Sequence, residues 1–460
     1  ESLYATQFKN LPIGQMEEKF ADYGEVQIKQ LNDRSKMYYT PNKENNVFQL
    51  IVQYGAGERE FPKLGYAAQL MNNAGIMGAY EPQELKEELS KLNATCHVTA
   101  DDDNLYIIME GYEATLPQAC QLLSRQILMP KLDEKQLARL KGSAMGMRQQ
   151  RKDNVSILNE ALRQYMLYGE KSDYIKELTD KEIYELQISE LTGDINRASN
   201  YEAKVFFTGT LPFDQVYDIL SKNLPLVANE RPSNSPQAKE MMPVTENTVY
   251  FLPNNDAEQA QIHLYIPMQK ADKKDDVLRS AFNQYFGLDF TGIVLNEIRE
   301  KRSMAYTAYA FVGTQGIAGK ASYLRGYIGT QNDKANDALD VLMSLVNDMP
   351  KNPERIDNIK SYLRQAMLTS HPSFRNKAME LVDLGYRGYT DDPAKENLPK
   401  VDALTFDDIV KFYEENIKGK PYCISIMGNP KDIDLKRLEK FGKVVKLNER
   451  KLFNTKDALF

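Results

Sequence analysis

Short segments of alternating hydrophobic and polar residues recur along the chain. Residues 47–57 (VFQLIVQYGAG) and 259–268 (QAQIHLYIPM) are rich in β-branched and aromatic side chains, so both are predicted to be β-strands. Residues 156–169 (SILNEALRQYMLYG) have helical spacing instead, with Ser156 predicted as the N-cap and Gly169 just past the last turn.

The same succession of elements occurs twice, at an offset of about 220 residues. MPKLDEKQLARLKGSAM begins at Met129 and MPKNPERIDNIKSYLRQAM begins at Met349. The segments that match on either side are predicted strand–helix pairs: 104–123 with 323–342, and 201–220 with 421–438. We interpret the chain as two copies of one domain.

Strands cluster early and late in each copy, with a block of helices between them. This order predicts an α+β fold in which helices pack on one face of a largely antiparallel sheet. The predicted division is a lead-in segment (1–24), a first repeat (25–228), a polar linker (229–240, NERPSNSPQAKE) and a second repeat (241–460).

Composition narrows the classes of function. Hydrophobic residues make up 42% and charged residues 27% of the 460 positions, as in an ordinary soluble globular protein. No apolar run approaches the roughly 18 to 20 residues that span a bilayer. With 58 basic and 65 acidic residues and no basic cluster, nucleic acid is not an expected partner. The three cysteines exclude a disulfide framework and a cysteine zinc site, but not one isolated disulfide.

One segment brings an arginine and a tyrosine, Arg299 and Tyr306, to the two sides of a predicted turn. Residues 291–302 (TGIVLNEIREKR) are predicted to form a helix with Thr291 as a possible N-cap and a partial apolar face. That face comprises Ile293, Leu295 and Ile298. Residues 305–313 (AYTAYAFVG) then alternate as a strand, with Tyr306, Ala308 and Ala310 predicted on one face. On composition alone, Arg299 would be a surface arginine and Tyr306 a half-buried tyrosine.

This helix–turn–strand segment resembles the second-domain signature of the insulinase/pitrilysin-type zinc metallopeptidases, the inverzincins. In that family a helix ending in IREK, here residues 298–301, leads through a short turn into AY, here residues 305 and 306. The resemblance extends over nearly the whole chain from about residue 25, and it implies that Arg299 and Tyr306 bind substrate. The sequence departs from the family at FGLDFTG (286–292), which has fewer glycines, and at Ser303, where glycine is usual.

The zinc motif of the family is missing. Its peptidases carry H-x-x-E-H in the first domain, where two histidines bind zinc and the glutamate activates water. In the matching helix, residues 63–73 (KLGYAAQLMNN), Tyr66 and Leu70 stand at the histidine positions and Gln69 stands at the glutamate position. A more distal glutamate ligand would fall near Met147. Glutamine is not a general base and leucine does not bind metal.

The histidines do not supply a second zinc site. The chain contains only His97, His263 and His371, in different predicted elements and without an i, i+4 partner. We expect His97 and His263 to be satisfied structural histidines, and His371, before a proline, to start a helix. The sequence also contains no nucleophile elbow, phosphate-binding glycine loop or Cys/His pair.

The resemblance therefore implies the non-catalytic half of a zinc peptidase. Working enzymes of the family combine four such domains in two halves that close around a peptide, and one half often has a degenerate zinc motif. This chain is expected to bind no cofactor, to be inactive alone, and to supply Arg299 and Tyr306 to a zinc-bearing half with H-x-x-E-H. That partner would be either a separate subunit or part of the same polypeptide, and the substrates would be peptides.

Three further expectations concern an alternative function, the length of the whole protein and its location. The alternative function is that of a peptide-binding or structural subunit of the same fold, with no catalytic partner. The opening residues ESLYATQFKNLPIG look like a continuation, so the chain is expected to be the C-terminal half of a longer protein. By resemblance, the bacterial cell envelope or periplasm is the expected location.

Overall fold

The computed structural model describes residues 17–287 and 291–456. Its strands are β1 Gln27–Gln30, β2 Lys36–Pro41, β3 Val47–Tyr54, β4 Gly75–Ile76, β5 Thr95–Ala100, β6 Leu105–Tyr112, β7 Pro130–Lys131, β8 Ala203–Gly209, β9 Thr248–Pro253, β10 Gln259–Lys270, β11 Ala305–Thr314, β12 Ala321–Gln331, β13 Cys423–Gly428 and β14 Lys443–Lys446. Apart from the short β4–β7 pair, they form two mixed sheets of six strands each within the described residues.

The helices of the first repeat are α1 Leu64–Met71, α2 Pro82–Lys91, α3 Leu116–Leu128, α4 Glu134–Gln149, α5 Val155–Tyr168, α6 Asp173–Lys176, α7 Asp180–Tyr184, α8 Ile188–Ala198 and α9 Phe213–Asn223. Those of the second repeat are α10 Asp276–Phe286, α11 Ile293–Leu295, α12 Ala335–Asn347, α13 Ile356–Thr369, α14 Lys377–Tyr386, α15 Pro393–Ala403, α16 Phe406–Asn416 and α17 Leu435–Leu438. In the described part of the chain, no helix has the length and apolar character needed to cross a bilayer.

The two sheets repeat one strand order, except at one edge. The first sheet runs β5-β6-β3-β8-β2-β1 and the second runs β11-β12-β10-β13-β9-β14. Both contain a parallel pair at the matching position, β2–β8 and β9–β13. The outer strand differs, because β1 lies antiparallel to β2 whereas β14 lies parallel to β9. The predicted α+β class is confirmed, with largely antiparallel sheets.

Each sheet buries one face under the helices of its own repeat. In the second sheet, the even-numbered residues of β12 join α10, α12, α13 and α16 in one large core. The corresponding core of the first sheet includes residues of α1, α3, α8 and α9. This is the arrangement that alternating strands require, since successive side chains point to opposite faces.

The opposite faces are partly covered by helices that the two repeats exchange. Leu158, Ala161 and Leu162 of α5, in the first repeat, are buried against the second sheet at Leu252 and Met427. In return, α14 of the second repeat covers the first sheet.

On the first sheet, Ala378 of α14 is buried with Ile51 and Phe206. Lys377, at the start of α14, bonds Glu25 with 2.6 Å between Nζ and Oε2. The helices α5 and α14 occupy equivalent places in the two repeats. The exchange therefore fastens each domain to the other.

Several local predictions need correction. Asn154 rather than Ser156 caps α5, because the Asn154 side chain accepts a hydrogen bond from the Ile157 amide. Gly169 does end this helix, with φ of 56°. His371 does not start a helix, since α14 begins six residues later at Lys377. Residues 1–16 of the predicted lead-in segment lie outside the described residues.

We predict that Leu162→Ala lowers the free energy of unfolding by about 2 to 5 kcal/mol, because it opens a cavity between an exchanged helix and the second sheet. Leu128→Ala, at a leucine that is 53% exposed, should change it by less than about 0.5 kcal/mol. Urea unfolding followed by circular dichroism measures both. Equal effects at the two positions would show that the α5 contact does not hold the domains together.

Candidate functional site

The helix that carries Arg299 is not a regular α-helix. One turn, Ile293–Leu295, is followed by a π-helix over Asn296–Glu300, in which the Lys301 amide donates to the Asn296 carbonyl at 2.9 Å. Gly292, and not Thr291, is the N-cap. The Thr291 hydroxyl instead accepts a hydrogen bond from the Gln284 side chain at 3.3 Å.

The predicted apolar face of this helix is confirmed. Ile293, Leu295 and Ile298 are all buried in the core of the second repeat. A π-turn inserts one residue into the helix and so rotates the side chains that follow it. Such turns often occur at functional sites.

The turn after this helix requires a left-handed residue. Ser303 has φ of 50°, a region that glycine adopts without steric cost. The Ser303 amide donates to the Arg299 carbonyl at 2.8 Å, and the Met304 amide donates to the Ile298 carbonyl at 3.0 Å. The serine at this position thus keeps the turn. The other departure, FGLDFTG, falls partly on residues 288–290, which lie outside the described residues.

Tyr306 sits at a β-bulge. Ala305 pairs with Thr330 and Thr307 pairs with Gly329, so Tyr306 is an extra residue in β11. The bulge turns its side chain out of the core, and it is 77% exposed.

The predicted alternation along β11 is therefore wrong at one position. Ala308 and Ala310 are buried as expected, but Tyr306 lies on the opposite face and is not half-buried. An extra residue in one strand shifts the side-chain alternation on either side of it.

The structure brings Arg299 and Tyr306 together. The Arg299 guanidinium carbon lies 5.5 Å from the centre of the Tyr306 ring. Both line an open pocket of about 430 Å³ with Glu300, whose carboxylate oxygen Oε1 is 3.4 Å from Arg299 Nε. The remaining guanidinium nitrogens and the exposed phenol can donate hydrogen bonds to carbonyl or carboxylate oxygens.

The degenerate zinc positions cannot form a metal site. Leu70 is buried in the core of the first repeat and Gln69 is exposed on the surface of α1. Tyr66 is half-buried, and burial raises the pKa of its phenol, although the Arg148 guanidinium opposes this. Met147, near the expected distal ligand, is 61% exposed. The residues present therefore do not fit zinc.

Two arginine side chains, Arg148 and Arg151, lie close to Tyr66, one of the degenerate zinc-motif positions. Arg148 bonds Asp180 with 2.7 Å between Nη1 and Oδ1, and its Nη2 lies 3.4 Å from Glu177 Oε2. Arg151 donates from Nη2 to the same Glu177 oxygen at 2.7 Å. Both guanidinium groups are therefore paired with carboxylates of the same chain, and these carboxylates are not free to bind a metal ion.

Sequence reasoning missed this network. The only signal in the sequence was the pair of arginines three residues apart around the end of α4. Their carboxylate partners lie in a later, irregular segment that no periodicity identified.

At the edge of the first sheet, one side chain occupies backbone groups that could otherwise pair with a peptide strand. The Asn72 side chain donates to the Val98 carbonyl at 2.9 Å and accepts from the Val98 amide at 2.8 Å. These bonds occupy backbone groups of the edge strand β5 that an added peptide strand would use. Asn72 follows α1 directly, and no pattern in the sequence indicates this role.

The histidines and cysteines lie apart. His97 is exposed on β5, so the buried structural role expected for it is wrong. His371 is also exposed, in the segment before α14. His263 is buried, and its Nε2 lies 3.2 Å from the Asn159 side-chain oxygen. Burial, and then the positive charge of Arg325, lower the pKa of His263 to about 3. The three cysteines are free. Within residues 17–287 and 291–456, no group of three His, Cys, Asp or Glu side chains could hold a metal ion.

We predict that Ser303→Gly stabilises the protein by roughly 0.5 to 1 kcal/mol, because it relieves the left-handed backbone of the turn. Ser143→Gly, the same change at an exposed position inside α4, should destabilise by about 0.5 kcal/mol. Chemical unfolding of the two variants measures the change in the free energy of unfolding, which should be positive for Ser303→Gly and negative for Ser143→Gly. A destabilising Ser303→Gly would contradict the turn geometry.

Glu58, near Tyr66, should make stability depend on pH. Burial, and then repulsion from Asp102, raise the pKa of Glu58 to about 7 in the folded protein, above its ordinary value of 4.5. Its protonated form is favoured by folding, so this contribution is present below pH 4.5 and is lost as the pH rises to about 7. Glu58→Gln should therefore raise the melting temperature more at pH 8 than at pH 5. Glu44→Gln, at an exposed loop residue, is the control, and parallel curves for both variants would refute the prediction.

A family comparison covers the part of the chain that contains the Arg–Tyr pair. Residues 199–363 match the family model described as the peptidase M16 inactive domain. The match runs from the last strand of the first repeat, across the linker, to α13. It includes Arg299 and Tyr306 but not the degenerate helix α1. No curated protein matches the chain.

Solved structures share the fold over most of the chain. A peptidase M16 inactive domain from Pseudomonas fluorescens aligns with a TM-score of 0.67 and 17% identity, over 88% of this chain and 98% of its own. The periplasmic protease PqqL from Escherichia coli aligns with a TM-score of 0.65 and 12% identity, over 92% of this chain and 50% of its own. The ferredoxin protease FusC, solved with Arabidopsis ferredoxin, aligns with a TM-score of 0.70 and 13% identity, over 90% of this chain and 46% of its own.

These TM-scores establish a common fold, and this chain spans about half the length of the two proteases. The resemblance inferred from the sequence is confirmed by the family match. Residues 199–363 thus match the inactive-domain family of the M16 peptidases, and the chain folds as the M16 structures do.

Proposed function

We propose that this chain is the substrate-binding half of a zinc-dependent peptidase and supplies Arg299 and Tyr306 to the zinc site of a catalytic half. The observation that carries the proposal is the geometry of the pair. A π-turn, a left-handed residue and a β-bulge occur within eleven residues, Asn296–Tyr306, and together they expose a guanidinium and a phenol side by side. Irregular backbone of this kind persists at functional sites because the surrounding structure holds it in place.

The two side chains have different roles in this proposal. Tyr306 donates a hydrogen bond to the scissile carbonyl oxygen as negative charge develops there, an interaction stronger in the transition state than in the ground state. Arg299 holds a backbone carbonyl of the substrate with charge-assisted hydrogen bonds. Because Tyr306 is 77% exposed, it can reach atoms bound to another half.

The first repeat supports a non-catalytic role for this chain by itself. Leu70 is buried, and the arginines close to Tyr66, Arg148 and Arg151, are paired with Asp180 and Glu177. The edge of β5 is occupied by Asn72 at Val98. The zinc, the general base and the strand-binding edge then belong to a partner half with H-x-x-E-H.

The partner half is either a second subunit or part of the same polypeptide. The proteases FusC and PqqL are each about twice as long as the part that this chain matches. PqqL is a periplasmic protease, and we propose the same compartment for this chain. The substrates are peptides or small unfolded proteins, which a chamber between two halves can enclose.

The test is Tyr306→Phe in the chain assembled with its zinc-bearing partner half. Peptide turnover should fall by about 10²-fold or more, because one oxyanion donor is lost. Tyr184→Phe, at a tyrosine that is 69% exposed in the first repeat, is the matched control and should leave turnover unchanged. Turnover of Tyr306→Phe within about twofold of the wild type would reject the assigned role.

A further inference from the structure

The face of the second sheet that bears Tyr306 is rich in aromatic residues. After the bulge at Tyr306, the odd-numbered residues of β11, like those of β12, alternate with the residues of the helical core. Four of them are half-buried rings that we call the aromatic face: Tyr309, Phe311, Tyr323 and Tyr327. Ring centres are 6.0 Å apart between Tyr309 and Phe311 and 5.2 Å apart between Tyr309 and Tyr327. Because the bulge turns Tyr306 out of the core, this side chain begins the same face.

Arg325 lies in the middle of this face. In the strand register it is opposite Phe311 on β11 and Tyr265 on β10. Its side chain is half-buried, and the Nε atom is fully buried without a hydrogen-bond partner in the described structure. Burying part of a guanidinium without a partner costs free energy. An external ligand would pair with the two Nη atoms of Arg325, because the buried Nε is closed to solvent.

The ion pair between Glu160 and Arg163 does not neutralise Arg325. Glu160 of the exchanged helix α5 is held by Arg163, whose Nε donates to Glu160 Oε2 at 2.7 Å. Burial, and then the positive charges of Arg325 and Arg163, lower the pKa of His263, so its ring carries no charge at neutral pH. The described charges of this region leave one net positive charge at Arg325.

We propose that Arg325 binds a carboxylate of the peptide whose scissile bond lies at Tyr306. The proposal rests on the proposed function, because Tyr306 defines where the peptide crosses the site. Phe311, opposite Arg325, is five residues along β11 from Tyr306, which corresponds to about 16 Å of extended chain. An extended peptide over the aromatic face therefore places a carboxylate about five residues from the bond that is cleaved.

The proposed site predicts which class of peptide the chain binds. The peptide has apolar or aromatic side chains that pack on the rings and an anionic group that pairs with the guanidinium. An acidic side chain and a free C-terminal carboxylate share this chemistry. Charges that solvent can reach attract ligands more strongly at low salt, so discrimination should weaken as ionic strength rises.

The experiment measures binding of acetylated decapeptides of Ala, Leu and Ser to the whole chain by calorimetry. One set is amidated and carries a single Glu, moved through each position. A second set carries Gln instead, and one peptide carries Gln with a free C-terminal carboxylate. Wild type should bind the best Glu peptide or the free-carboxylate peptide about tenfold more tightly than the amidated Gln peptide. Which of the two binds more tightly identifies the source of the carboxylate.

Arg325→Met should abolish this preference and leave the affinity for the amidated Gln peptide unchanged. Its melting temperature should equal or exceed that of the wild type, since no described hydrogen bond is removed. Arg325→Lys should keep part of the preference. Arg34→Met, at an exposed arginine near the first sheet, is the matched control and should keep all of it.

Three results would overturn the proposal: no preference in wild type, no binding of any probe, or a preference that survives in Arg325→Met. The two proposals can fail separately. If Arg325→Met keeps the preference while Tyr306→Phe lowers turnover, only the carboxylate site is wrong. If Arg325→Met loses the preference while Tyr306→Phe has normal turnover, the catalytic role of Tyr306 is wrong and the carboxylate site remains.

Discussion

The reciprocal packing of α5 and α14 on the sheets of the opposite repeats determines how the rest of the molecule is arranged. Each helix buries apolar side chains that would otherwise leave a sheet face open to water. Tyr323 of the aromatic face packs against residues of α5, whereas the other three rings of that face lie outside this contact and are half-buried. The same contact brings Glu160 and Arg163 to the border of that face. Domain assembly and the position of the candidate site thus depend on one set of hydrophobic contacts.

Within that frame, the chemistry depends on three irregular backbone features. A regular helix and a regular strand would aim Arg299 and Tyr306 differently, since the π-turn rotates one and the bulge reverses the face of the other. The first repeat contains no such exposed pair at its degenerate zinc-motif positions. There, Arg148, Arg151 and Asn72 make contacts within the chain that leave neither a metal site nor a free strand edge at Val98.

The α+β class, the repeat and the closeness of Arg299 and Tyr306 could be predicted because they depend on local periodicity and on short spacings. The exposure of Tyr306 could not, because a bulge is defined by the register against β12 and leaves no periodic signal in β11 itself. The helix exchange joins segments that are about 90 to 330 residues apart, so no local pattern in the sequence could predict it. Asn154 replaced Ser156 as the cap because both are good capping residues and the helix begins two residues earlier than predicted.

On the proposed function, this chain takes part in peptide cleavage only beside a zinc-bearing half. The most direct measurement is native purification with this chain as bait, followed by mass spectrometry of the complex and zinc analysis. The account predicts a stoichiometric companion sequence with H-x-x-E-H, about one zinc per pair, and peptide cleavage that a chelator abolishes. A metal-free chain recovered alone, or in a complex that cleaves no peptide, would contradict it and favour a binding or structural subunit.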